Sequence, residues 1–297
     1  MSVRRRRVVA AVVAVVVLAL AATAIVAASR AARTWLWTGC TATSGTQTAD
    51  LDLEQARYAS IVAAGSVQHR MPPRAATIAL ATAFQESDIR NLDHGHADSV
   101  GLFQQRPSMG WGSVAQIMDP YYSTDRFYTA LAKIDGYTAM SITDAAQKVQ
   151  KSAYGNAYAK HGQRSRILAS ALTGQTPAAF TCTIAKPGTD WSVAQTARNA
   201  KLAFGNRVDA SATGGRDGAG AVVVTVPTAQ GGAAVRERIR WAVAAWAVAN
   251  AAQAPIEGVA AGGKVWRSSA SDKGWTTGTG QAASNRVTIT LSATPMG

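Results

Sequence analysis

Residues 83–111 read AFQESDIRNLDHGHADSVGLFQQRPSMGW, and this stretch decides how the rest of the chain is read. Its first residues continue an apolar run of Ala, Ile and Leu, so Glu86 falls near the C-terminal end of a buried helix, just before a polar loop. Phe84, Phe103 and neighbouring aliphatics can wall such a carboxyl. Desolvation then raises its pKa and keeps it protonated near neutral pH. A general acid at a glycosidic oxygen needs that property. Gly101-Leu102-Phe103-Gln104 begins fifteen residues after Glu86. Glycine permits close backbone approach, and Gln104 offers a donor and an acceptor to a sugar amide. Trp111, Tyr121, Tyr122 and Tyr154 supply flat faces or hydroxyls for sugar rings. Each feature alone has a plain reading: a Glu at a helix end is commonly solvated, and aromatic residues are commonly core.

Outward from this stretch, helical signals run to Leu172. Asp50 or Asp52 can cap a first helix, and Met71-Pro72-Pro73 ends it and opens a second over 73–89. Further helices are expected over 121–133, from Ser141 toward Ser152, and over 156–172, where Gly174 can terminate the last. Residues 41–48 are rich in Thr, Ser and Gly and read as a flexible linker. After Cys182 the pattern changes. A linker with one helix (191–204) and a glycine-rich loop leads to a β-branched strand over 222–226, a helix over 233–252, and strands over 263–267 and 286–291. The expected organisation is 1–33, basic tail and transmembrane anchor or signal; 34–49, linker; 50–182, helical domain; 183–220, linker; 221–297, a small α+β domain.

The chain has 297 residues, a net charge of +13, 47% hydrophobic and 16% charged residues, and two cysteines. This excludes full disorder, a small disulfide scaffold and a cysteine-built zinc protein. Six arginines and no acid lie in residues 1–33, which leaves +7 on the remainder. A basic body favours anionic partners. Arg4 to Arg7 precede 21 uncharged residues, 8–28, long enough for a bilayer core of about 20 residues in a helix. The expectation is a single-pass membrane protein with its body outside, anchored through this helix; secretion after signal cleavage is the alternative. In an oxidising compartment Cys40 and Cys182, which flank the helical region, are expected to form a disulfide. Free thiols are the other reading.

Glu86-Ser87, a polar loop, and Gly101-Leu102-Phe103-Gln104 together resemble the catalytic signature of the lytic transglycosylase and goose-type lysozyme superfamily. There a Glu-Ser at a helix end precedes a Gly-Leu-Met-Gln-like segment; here Phe103 replaces the methionine. Asp119-Pro120 is similar to the family's Asp-Pro before the next helix, and Tyr154 to its cleft tyrosine, with an altered surrounding motif. The longer string from Asn91 to Ser108 resembles exported actinobacterial proteins with a lysozyme-like module, some loosely named heavy metal transporters. The resemblance covers about residues 51–172. It implies a fold with an N-terminal transmembrane helix, an all-α lysozyme-like domain and a small C-terminal α+β domain.

It also implies cleavage of the β-1,4 bond between N-acetylmuramic acid and N-acetylglucosamine in peptidoglycan, with Glu86 as general acid/base and no cofactor. Ser87, Gly101, Gln104, Trp111 and Tyr154 are the expected substrate contacts. Asp93 and Asp98 are candidates for a second carboxylate, which hydrolysis needs and the single-acid lytic route does not. Arg106 stands where some goose-type enzymes have a further aspartate. The rival readings are an inactive module that holds glycan strands or a cell-envelope protein, the latter through the C-terminal domain, and metal binding through His94 and His96. Residues 214–220 precede a strand instead of following one, which excludes a dinucleotide fingerprint, and no aromatic-interleaved basic face points to nucleic acid.

Overall fold

In the computed structural model, residues 38–150, 158–214, 219–278 and 285–293 are described, with Val15, Val16 and Ala19. The chain opens on a hairpin. β1 (Gly39–Ser44) and β2 (Gln47–Leu51) pair antiparallel around Gly45. Cys40, Ala42, Ala49 and Leu51 turn inward while the threonines alternate outward. The expected linker is therefore structured: its small residues hide a period-two pattern.

The helices follow from local chemistry. Asp52 caps α1 (Leu53–Gln68) through a reciprocal capping box with Gln55. Pro72 and Pro73 start α2 (Pro73–Ser87), which ends where Asp88 turns left-handed. Ser113 caps the short α3 (Val114–Ile117), and Asp119 caps α4 (Pro120–Leu131). Ser141 caps α5 (Ile142–Gln150). α6 (Gly162–Leu172) follows a short 3-10 turn and stops at Gly174, with φ +71°. β3 (Phe180–Thr183) then returns to pair antiparallel with β1, so the three-stranded order is β2-β1-β3. Cys40 faces Cys182 in that register, and the two form a disulfide.

The C-terminal part comprises α7 (Val193–Phe204), β4 (Asp209–Gly214), β5 (Gly220–Thr225), α8 (Ala233–Ala249), β6 (Ile256–Ala261), β7 (Lys264–Arg267), β8 (Thr276–Thr277) and β9 (Arg286–Leu291). Its antiparallel sheet runs β4-β5-β9-β6-β7-β8. Both expected helices and the three expected strands are present; β4, β6 and β8 are additional to that expectation. α8 packs on β6 and β9 on one side and on α1, α6 and β3 on another. Trp246, only 1% exposed, stands between Trp191 and Phe204 in this junction.

Two expectations are corrected. The chain is not an all-α domain joined to a separate α+β domain: residues Gly39–Gly297 form one compact α+β unit, and a single apolar core runs from Cys40 to Leu291. The reason is α8, whose apolar residues on several sides bury against both the sheet and the first helices. The membrane-spanning helix is also not found, so the single-pass placement lacks its anchor. No helix among the described residues is long and apolar enough to cross a membrane. Residues 8–28, where it was expected, lie outside the described residues apart from Val15, Val16 and Ala19.

Candidate active site

The last turn of α2 carries Glu86 and Ser87, and the backbone reverses at once. Asp88 and Ile89 both have positive φ, 54° and 56°. For a β-branched residue such as isoleucine this is a genuine outlier. Such strain persists only where the surroundings over-determine it. Here Ile89 is fully buried, and Asp88 is held by Gln55, whose Nε2 donates to its backbone oxygen and to Oδ2, both at 3.0 Å.

Ser87 is buried and does not present its hydroxyl to solvent. It donates to Leu102 O at 2.7 Å and to Ala83 O at 3.1 Å. It therefore ties the helix end to the turn that Gly101 makes possible. Gly101 has φ +81°, and a Cβ there would lie 2.9 Å from Ile117 O. Val100 and Gln105 close this turn with two backbone hydrogen bonds of 3.0 Å. Leu102 and Phe103 enter the core, where Phe103 stacks on Phe127 with centroids 4.6 Å apart. Phe103 O accepts from Gln150 Nε2 at 2.6 Å. The turn is thus stitched to α2 by one carbonyl and to α5 by the next.

Glu86 is partly buried beside this turn. Tyr158 Oη donates to Glu86 Oε1 at 2.7 Å, and Gln150 also hydrogen-bonds the carboxyl. Burial lifts the Glu86 pKa above its ordinary value, against the pull of these two bonds. Its position at the negative end of a helix dipole acts in the same direction as burial. No cation among the described residues contributes to this shift.

The loop carboxylates behave in the opposite way. Asp98 accepts from Arg106 Nε at 2.6 Å, from Ser108 N at 2.8 Å and from Ser108 Oγ at 3.0 Å, and these bonds hold it well below the usual carboxylate range. Asp93 is exposed and bonded to His94 Nδ1 at 2.7 Å, which lowers its pKa. Gln104, in a left-handed conformation at φ 48°, donates to His94 O at 3.2 Å and to Gly101 O at 3.3 Å. Trp111 is half-buried, and its carbonyl accepts from Tyr122 Oη at 3.2 Å. Tyr154 lies outside the described residues. The structure thus joins Glu86 to Gln150 and Tyr158, neither of which the sequence reading had placed at the site. The missed signal was the run 154–158, YGNAY, in which two tyrosines stand four residues apart.

His94 and His96 are both exposed. Among the described residues no group of three His, Cys, Asp or Glu side chains is placed to hold a metal ion. No family model matches the chain, and no curated protein matches it in sequence.

Proposed function

We propose that this protein cleaves the β-1,4 bond between N-acetylmuramic acid and N-acetylglucosamine in peptidoglycan by the single-acid lytic route, with Glu86 as acid and then base. The observation that carries this reading is the Glu86 carboxyl, partly buried at a strained helix end and, among the described residues, met by neutral groups alone. A carboxyl in that setting holds its proton until a leaving oxygen can take it.

In this mechanism Glu86 protonates the glycosidic oxygen as the bond to C1 of the muramyl residue breaks. The resulting carboxylate, stabilised by Tyr158 and Gln150, then accepts the proton of the muramyl 6-hydroxyl as that oxygen attacks C1. The product carries a 1,6-anhydro ring and Glu86 regains its proton. Hydrolysis through a second carboxylate is less well supported. Asp98 is spent on Arg106 and Ser108, Asp88 on Gln55, and Asp93 is exposed and bonded to His94. The disulfide suits the oxidising compartments in which this polymer is found.

The test is digestion of purified peptidoglycan by the full chain beside its Glu86→Gln variant, with products identified by mass spectrometry. Anhydro-muropeptides from the wild type alone are the expected result. Reducing-end products would replace the lytic route with hydrolysis. Absence of products from a folded wild type would leave a glycan-binding module.

A further inference from the structure

At the other end of α2 the structure holds a cavity of about 470 Å³. Its lining comes from the end of α1, the start of α2, the end of α6, the segment around Arg207, and α8. Three arginines line it, Arg70, Arg207 and Arg238, and no carboxylate does. The acids beside these arginines in sequence are engaged elsewhere: Glu237, next to Arg238, pairs with Arg240 at 3.1 Å, and Asp209, two residues after Arg207, with Lys201 at 3.5 Å.

Arg207 is the telling member. It is only 6% exposed, its Nη1 donates to Gln230 Oε1 at 2.5 Å, and its buried Nε has no hydrogen-bond partner. Buried charges are ordinarily paired, because removing them from water without a counter-charge is costly. Burial and the like charge of Arg70 both weaken its hold on its proton. Arg70 has a second oddity. It follows the C-cap of α1 with φ 57°, the place where glycine is the favoured residue. A guanidinium is therefore kept at a backbone position that strains any side chain. The start of α2, with no side-chain cap, adds the positive end of its dipole. Val67, Met71, Val235 and Ile239 add apolar surface to the lining.

We propose that this cavity binds a phosphoryl group, gripped by Arg70, Arg207 and Arg238. Guanidiniums match phosphate oxygens in geometry, and three positive charges balance a dianion better than a single carboxylate. The group can come from free phosphate or from a phosphate ester whose organic part lies on that apolar surface.

The experiment is isothermal titration of the full chain with inorganic phosphate and, separately, with glycerol 3-phosphate, at constant ionic strength. Arg70→Gly and Arg238→Gln serve as variants. Arg70→Gly removes the charge while relieving the backbone, so its melting temperature should equal or exceed the wild type. Saturable one-site binding by the wild type is expected, weakened at least tenfold in both variants. Equal affinity for the two probes assigns the site to free phosphate; tighter binding of glycerol 3-phosphate assigns it to an ester. No saturable binding by the wild type, or Arg70→Gly binding within twofold of it, overturns the proposal. Peptidoglycan cleavage should be unchanged in Arg70→Gly, so this result is independent of the role of Glu86.

Discussion

The two ends of α2 are chemical opposites. Among the described residues, a partly buried acid sits at its C-terminus with neutral donors and no cation, and at its N-terminus three arginines line a cavity with no acid. The helix spans 15 residues, about 22 Å at 1.5 Å per residue, so about two Debye lengths separate its ends in ordinary buffer and about seven at 1 M salt. Backbone strain follows the same division. Of the six non-glycine residues with positive φ, Asp88, Ile89, Ala97 and Gln104 lie on the Glu86 side, Arg70 lies at the cavity, and only Ala178 is elsewhere among the described residues. Ion-paired charges populate the exposed loops, as with Asp98 and Arg106. The two concave places instead hold ionisable groups with no described partner of opposite charge, Glu86 at one and Arg207 at the other. The lesson is that a missing counter-charge is more informative here than a present one.

The sharpest way to break the comparison is Glu86→Gln. Peptidoglycan cleavage should fall by about 10³-fold or more, within the range for loss of a general acid that also serves as base. The same variant tests the burial argument. Because the folded pKa of Glu86 is raised, ionising it costs stability as pH climbs from the unfolded value toward the folded one. The variant should therefore melt higher than wild type at pH 7, and the gap should close in acid below the ordinary glutamate pKa. An equal gap at all pH values would show that Glu86 keeps an ordinary pKa.

Next in size is the frame that both ends share. Cys40→Ala with Cys182→Ala should remove up to about 5 kcal/mol of stability in the chain-entropy model for a 142-residue separation, measured by urea unfolding. Both activities should fail together on warming. Separate failure would mean that the two ends do not belong to one cooperative unit.

Tyr158→Phe is a finer probe of the acid end. Cleavage should drop by about 10- to 100-fold, the scale of one hydrogen bond to a charged group. Its bond lowers the Glu86 pKa, so its loss should move the alkaline limb of the pH–rate profile upward. A downward shift would contradict the assigned geometry. Asp98→Asn should do least, changing cleavage less than about threefold on the single-acid route. Its effect on stability should be present at neutral pH and vanish as pH falls through the low pKa that Arg106 imposes. A loss as large as that of Glu86→Gln would restore hydrolysis through a second carboxylate.

Much of this was legible in the sequence, for local reasons. Asp52, Pro73, Asp119, Ser141 and Gly174 each mark a helix boundary through a cap, a proline or a left-handed turn. Glu86 was readable because an apolar run ends on it. Strands β1 and β2 were not, because Thr, Ser and Gly suit a linker as well as a small-residue strand. Tyr158 was not, because nothing in the local sequence marks it as a partner of Glu86, 72 residues earlier. The unity of the fold was hidden in α8, whose alanine-rich sides say nothing of which partner they meet. The arginines of the cavity come from three distant segments, and no local pattern joins them.

β1 has a place in time as well as in space. It meets β2 after a two-residue turn, but its other edge stays open until β3 has been made, more than 130 residues later. Closing a loop of that length costs only modestly more than closing a short one, since the entropy grows as a logarithm. What it does impose is a wait. During synthesis the hairpin is finished first and keeps one bare edge on offer while every helix from α1 to α6 emerges. A stray strand from another copy can occupy that edge in the interval. Pairing with β3 ends the exposure, and the cysteines then make the decision permanent.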